Sequence, residues 1–176
     1  VTHLSGEMNT LWQGDASGFF SDQTSRFRFG PAGLAQTGFG IVAIDVDLNG
    51  GLDILVANGR VNRDLHRSAS SSAFWDLYSE RNQIFLEDAG DFREVNDNPF
   101  TESAEVWRAL AVADYDRDGD QDLLATSIGR PARLFRNDTQ KKGHWLSVTP
   151  FDASRKRVAY GAVVTVTAEN SKRTAE

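Results

Sequence analysis

The chain has 176 residues, 40% of them hydrophobic, with a formal net charge of −6 and no cysteine. That length suits about one ordinary domain with a real core. The acidic balance argues against nucleic acid or an anionic membrane surface as partner, the missing thiols exclude a disulfide framework, and no apolar run approaches the roughly 18 residues of a membrane span.

In chain order, Asn9-Thr-Leu-Trp-Gln-Gly-Asp-Ala-Ser-Gly-Phe-Phe-Ser-Asp22 reads as a strand, a polar turn and a second strand. Ile41 to Ile44 and Leu52 to Ala57 are short, β-branched runs bounded by Gly, Asn and Asp, the signature of buried strands. Between them lies Asp45-Val-Asp-Leu-Asn-Gly-Gly-Leu-Asp53. A long connection, Gly59 to Arg81, holds Arg60, Arg63, His66, Arg67, serines at Ser70 to Ser72, and Phe74, Trp75 and Tyr78. Loops this long are often functional; the plainer expectation is a short helix near Phe74 to Tyr78 whose aromatics pack over a sheet edge. Asn82-Gln-Ile-Phe-Leu-Glu-Asp-Ala-Gly-Asp-Phe-Arg-Glu-Val95 repeats the N-terminal hairpin pattern. Ala109 to Ala113 and Leu123 to Thr126 are two further apolar strands, flanking Asp114-Tyr-Asp-Arg-Asp-Gly-Asp-Gln-Asp122, and Ala132-Arg-Leu-Phe-Arg-Asn-Asp138 repeats the first half of the hairpin. Lys141-Lys142 reads as a linker and Arg155-Lys-Arg157 as an exposed turn.

Both acidic stretches read D-x-D-x-[DN]-G-x-x-D and run into apolar strands. Carboxylates this close repel one another unless a hard cation neutralises them, and calcium takes six to eight oxygen ligands of this kind. Positions 1, 3, 5 and 9 offer side-chain oxygens, position 7 a backbone carbonyl, and position 6 calls for a residue tolerant of positive φ. Two calcium sites follow: Asp45, Asp47, Asn49, Gly51 and Asp53, then Asp114, Asp116, Asp118, Asp120 and Asp122. Position 5 is Asn49 in the first and Asp118 in the second, so charge count predicts tighter binding at the second. An EF-hand is excluded, because its twelfth residue is a bidentate Glu and the twelfth positions here are Val56 and Ala125. A pair of solvated acidic turns is the competing reading. Recurrence of the whole pattern argues against it.

One repeat unit thus has four strands: apolar strand, acidic loop, apolar strand, outer hairpin. Four-stranded units in series indicate propeller blades. The expected fold is all-β, a partial β-propeller of such blades with calcium loops, plus a C-terminal β segment. Residues 1–142 hold an outer half-blade at 9–22, a blade at 39–95 and most of another at 106–138; residues 143–176 form the C-terminal segment. Propellers close with about four to eight blades. A chain running from Val1 to Glu176 therefore reads as a piece of a longer protein, able to form homo-oligomers through exposed blade edges.

These motifs resemble the FG-GAP/VCBS repeats of integrin-α-type propellers. Phe39-Gly40 supplies the Phe-Gly ahead of the first loop, and Arg108-Ala109 departs from it in the second. Gly143-His-Trp-Leu-Ser-Val-Thr and Tyr160-Gly-Ala-Val-Val-Thr-Val-Thr167 resemble the start of the ASPIC/UnbV domain of cartilage-acidic-protein-like proteins. The resemblance implies a secreted or cell-surface protein, extracellular or periplasmic, that binds a protein or carbohydrate ligand in adhesion or recognition.

The remaining residues carry weaker signals. His3, His66 and His144 lack a metal-binding spacing. Trp12, Trp107 and Trp145 lie beside apolar strand residues and read as core. The leading functional expectation is a non-catalytic, calcium-stabilised scaffold. The alternatives are a metal-dependent hydrolase and an architectural segment of a larger enzyme; no nucleophile–base motif supports the first.

Overall fold

The computed structural model describes residues 1–27, 29, 31–63, 74–141, 143–168 and 171–175. His66, Arg67 and Ser70 to Ser72, singled out above, lie outside the described residues, as does Lys142. The chain divides into two compact units, Val1–His144 and Trp145–Glu176.

The first unit is β throughout, with helix limited among the described residues to single turns. Its strands in chain order are β1 (Trp12–Gly14), β2 (Phe20–Asp22), β3 (Gly38–Ile44), β4 (Asp53–Asn58), β5 (Glu80–Arg81), β6 (Gln83–Asp88), β7 (Asp91–Val95), β8 (Ala104–Glu105), β9 (Trp107–Ala113), β10 (Asp122–Ser127) and β11 (Arg133–Phe135). β1 and β2 form an antiparallel hairpin. A first sheet has the order β3-β4-β6-β7 and a second the order β11-β10-β9, all antiparallel. β5 and β8 pair as a short ribbon that the sequence reading missed. Two residues per strand give too little periodicity to detect.

Local chemistry sets the turns. β6 and β7 are joined through Ala89 (φ 52°) and Gly90 (φ 91°), the consecutive left-handed residues of the tight hairpin turn whose twist matches the flanking strands. The one-turn helix α1 (Pro99–Glu102) starts at Asn98, whose side chain accepts from the N–H groups of Phe100 (3.1 Å) and Thr101 (3.0 Å), with proline at its first position.

Every residue of β4 is buried, because apolar groups pack on both its faces. On one face Ile54 and Val56 join Phe85 and Phe29. On the other Leu55 and Ala57 join Ile44, Val46, Ile84, Phe100, Trp107, Leu123 and Ala125. That second cluster is the seam between the two sheets. At the seam a Cβ built on Gly40 would stand 2.9 Å from Leu110 N and 3.1 Å from Ala109 Cα. The backbones of β3 and β9 therefore approach as only glycine permits. Arg108 ties the same seam from the other side. Its guanidinium donates to Gly59 O (3.0 Å) and Arg60 O (3.2 Å) and stacks over the Phe39 ring at 3.9 Å. The Phe-Gly and Arg-Ala pairs, which differ in sequence, meet across one joint.

The long connection contains a one-turn 3₁₀ helix at Phe74–Tyr78. Trp75 lies against Gly129, where a Cβ would collide with its indole, and Arg130 pairs with Asp76 at 3.2 Å. The expected aromatic helix is present and seats on the turn after β10. Two expectations about tryptophan are corrected. Trp107 is fully buried, but Trp12 and Trp145 are half exposed, since an apolar strand buries only the face that another layer covers.

The second unit contains β12 (Phe151–Asp152) paired with β13 (Arg157–Val158), and β14 (Val164–Ala168) paired with β15 (Ser171–Ala175). Asp152 holds the first turn by accepting from Ser154 N (2.9 Å) and Arg155 N (3.1 Å), with Lys156 left-handed at φ 51°.

Candidate metal centres

The β3–β4 and β9–β10 connections have the same backbone. Position 4 is left-handed in both, at Leu48 (φ 55°) and Arg117 (φ 62°), and so is position 6, at Gly50 (φ 93°) and Gly119 (φ 95°). The glycine was legible in the sequence. The non-glycine residue before it was not, because a single turn residue with φ above zero carries no sequence mark when it is neither Gly nor Asn.

The acidic side chains hold these turns. Asp45 accepts from Asn49 N (3.0 Å) and Gly50 N (2.9 Å), and Asp114 from Asp118 N and Gly119 N, both at 3.0 Å. The last aspartate of each pattern is fully buried and spans three elements. Asp53 accepts from Val46 N and, on the next strand, from Glu87 N, both at 2.8 Å. Asp122 does the same with Tyr115 N (3.1 Å) and Asn137 N (2.8 Å). It serves as a staple between strands as well as a wall of the site.

Ligand-capable oxygens of Asp45, Asp47 and Asp53 lie within 4.8 Å of one another, as do those of Asp114, Asp116 and Asp122. Oxygens bound to one calcium at about 2.3–2.6 Å must all lie within about 5 Å of each other, so both triads fit the ion's first sphere. The donor set is oxygen only, which suits a hard cation. In the first triad Asp47 and Asp53 are both buried. Burial, and then repulsion from Asp47 and Asp45, push the Asp53 carboxyl up against the two N–H donors that favour its charge. Buried like charges at this separation are what a divalent ion offsets.

The remaining predicted ligands behave differently. Asn49 Oδ1 accepts from Gly51 N (2.6 Å) while its amide donates to Glu87 O (3.1 Å). A Cβ on Gly51 would collide with Glu87 Oε2, so the loop needs glycine there to admit that carboxylate. Glu87 went unnoticed in the sequence because it comes from another strand.

In the second loop Asp118 and Asp120 stand outside the triad. Lys141 Nζ lies 3.1 Å from Asp118 Oδ2 and 3.1 Å from Asp120 Oδ2. The N–H of Asp120 and then Lys141 lower the Asp118 carboxyl, burial raises that of Asp120, and the two carboxylates raise the Lys141 ammonium. The geometry bears on the charge count without testing the order of affinities. Three carboxylates converge in each loop, and the fourth of the second loop is neutralised by a lysine that the sequence reading placed in a linker.

Of the histidines, His3 pairs with Glu7 at 3.4 Å, and neither it nor exposed His144 joins a triad.

No curated protein matches the chain. A family model of the FG-GAP-like repeat matches residues 73–125, from the Phe74–Tyr78 turn through the first sheet's outer hairpin to the second acidic loop and β10. Residues 73–125 are thus similar to an FG-GAP-like repeat, and the first sheet and its acidic loop repeat the loop geometry of the second.

Proposed function

We propose that the chain is a calcium-binding, non-catalytic scaffold within an extracellular or periplasmic β-propeller protein that recognises a protein or carbohydrate ligand. The observation that carries the calcium reading is the pair of convergent, oxygen-only triads at equivalent turns. FG-GAP repeats typically occur in extracellular proteins, and among the described residues no helix is long and apolar enough to cross a membrane. Bound calcium would sit among Asp45, Asp47 and Asp53, with Asn49 and the Gly51 carbonyl beside it, and among Asp114, Asp116 and Asp122. It would supply charge neutralisation. The chain's own residues do the fastening, since Asp53 joins its loop to Glu87 on β6 and Asp122 joins its loop to Asn137, just beyond β11. The non-catalytic reading rests on the sequence, in which no nucleophile–base motif accompanies the acidic loops, and on the N–H groups that already occupy oxygens of Asp45, Asp53, Asp114 and Asp122. Residues 143–176 are the ASPIC/UnbV-like part of this proposal.

Binding of this kind converts to stability. At a calcium concentration ten times the dissociation constant each site contributes about 1.4 kcal/mol, so two sites raise the melting temperature by roughly 5–10 °C for a chain of this size. Thermal melting with calcium and with a chelator tests this directly. A chelator-insensitive melting temperature reduces both loops to surface turns.

A further inference from the structure

The two acidic loops are joined by a residue that belongs to neither. Asn137 lies just beyond β11, and its backbone N–H donates to Asp122 Oδ1 at 2.8 Å. Its side-chain amide donates to the carbonyl of Val46, the residue between Asp45 and Asp47, at 2.9 Å. The amide keeps that orientation because its own Oδ1 accepts from Thr139 N at 3.1 Å. Val46 is buried, and its N–H donates in turn to Asp53 Oδ2 at 2.8 Å. A continuous path therefore runs from the last aspartate of the second loop, through Asn137 and the backbone of Val46, to the last aspartate of the first.

The repeat alone does not produce this bridge. In the first sheet Glu87 holds the place of Asn137, since its N–H makes the same bond to Asp53. Its carboxylate turns back into its own hairpin, where it accepts from Gly90 N at 2.6 Å, and an ionised carboxylate has no hydrogen to give a carbonyl. After Asn137 the chain keeps to the same two loops. Lys141 lies on Asp118 and Asp120 of the second, and Gly143 stands so close to Leu48 of the first that a Cβ would collide with the Leu48 carbonyl oxygen.

We propose that Asn137 couples the two metal centres, so that calcium at one raises the affinity of the other. The inference rests on the calcium reading above. Without an ion the carboxylates of each loop repel one another, and an ion draws them to fixed positions. Fixing Asp122 fixes the Asn137 N–H. The amide then holds Val46, and with it the directions in which Asp45 and Asp47 leave the backbone. The first loop is ordered before its own ion arrives, so less conformational freedom is lost on binding. By linkage the effect runs equally in the other direction.

Calcium titration of the full chain, followed by the amide resonances of Gly50 and Gly119, reads the two loops separately. Asp116→Asn weakens the second site directly, and it should also move the Gly50 midpoint to about fivefold higher calcium, the ratio that one net hydrogen bond supports. Asp47→Asn should move the Gly119 midpoint by a similar factor. Asn137→Ala keeps the N–H to Asp122 and removes the amide, and in that background both cross-effects should vanish. Asn137→Asp, of the same size but without the donor, should abolish them as well. Cross-effects that are missing from the parent chain, or that survive both Asn137 variants, overturn the coupling while the calcium reading stands. Glycine resonances that ignore calcium altogether overturn that reading and the coupling with it.

Discussion

Asp53 is where a single residue carries two duties. It is fully buried, it faces Asp45 and Asp47, and it terminates the N–H groups of Val46 and Glu87. Asp53→Ala strands two buried donors, which costs roughly 2–6 kcal/mol, and denaturant unfolding should show this loss even in chelator. Asp116→Asn, at an exposed member of the second triad, should instead leave the chelator value nearly unchanged and lower only the calcium-dependent increment. Lys141 has the opposite role. Its ammonium would compete with a cation bound at the second loop under the proposed function, so Lys141→Ala should tighten calcium binding there by about two- to fivefold in calorimetry, the scale of a partly exposed ion pair. At this scale the sequence was informative about the loop and silent about its surroundings. The spacing of the aspartates places Asp45, Asp47 and Asp53 around one turn because all lie within nine residues. Lys141 and Glu87 arrive from distant parts of the chain, and no local pattern announces them.

At the scale of elements, the seam between the sheets depends on Gly40. Gly40→Val would drive a side chain into the backbone of Leu110 and Ala109; overpacking of this kind costs about 1–3 kcal/mol and should appear as a lower denaturation midpoint with unchanged calcium affinity per folded molecule. The β1–β2 hairpin turns on Asp15, which the hydroxyl of Ser17, then the N–H groups of Phe19 and Ser17, hold below the usual carboxylate range. A depressed acid stabilises the fold above its unfolded value and loses that contribution as pH falls through the lowered one. The amide resonances of Ser17 and Phe19 should therefore shift together at a pH below the titration of an unbonded aspartate. Strand positions were largely legible, since β4 and β10 are apolar runs between turn residues. The β5–β8 ribbon and the exposure of Trp12 were not, because both depend on what lies opposite.

For the whole molecule, both apolar clusters lie between Leu11 and Phe135, inside the first unit. A chain ending after His144 should unfold cooperatively with the calcium-dependent shift of the full chain. A lost transition would assign part of that stability to residues 145–176. The sequence by itself determined the repeat, its strand order, the acidic turns and the oxygen-only character of the sites, since each is written within a few consecutive residues and follows from strand periodicity, glycine's conformational freedom and charge repulsion. Tertiary structure alone decided which carboxylates converge, that a lysine neutralises Asp118 and Asp120, and that Phe39 and Arg108 close one seam. Those outcomes turn on distances between residues far apart in the chain, and packing fixes such distances where local propensity cannot.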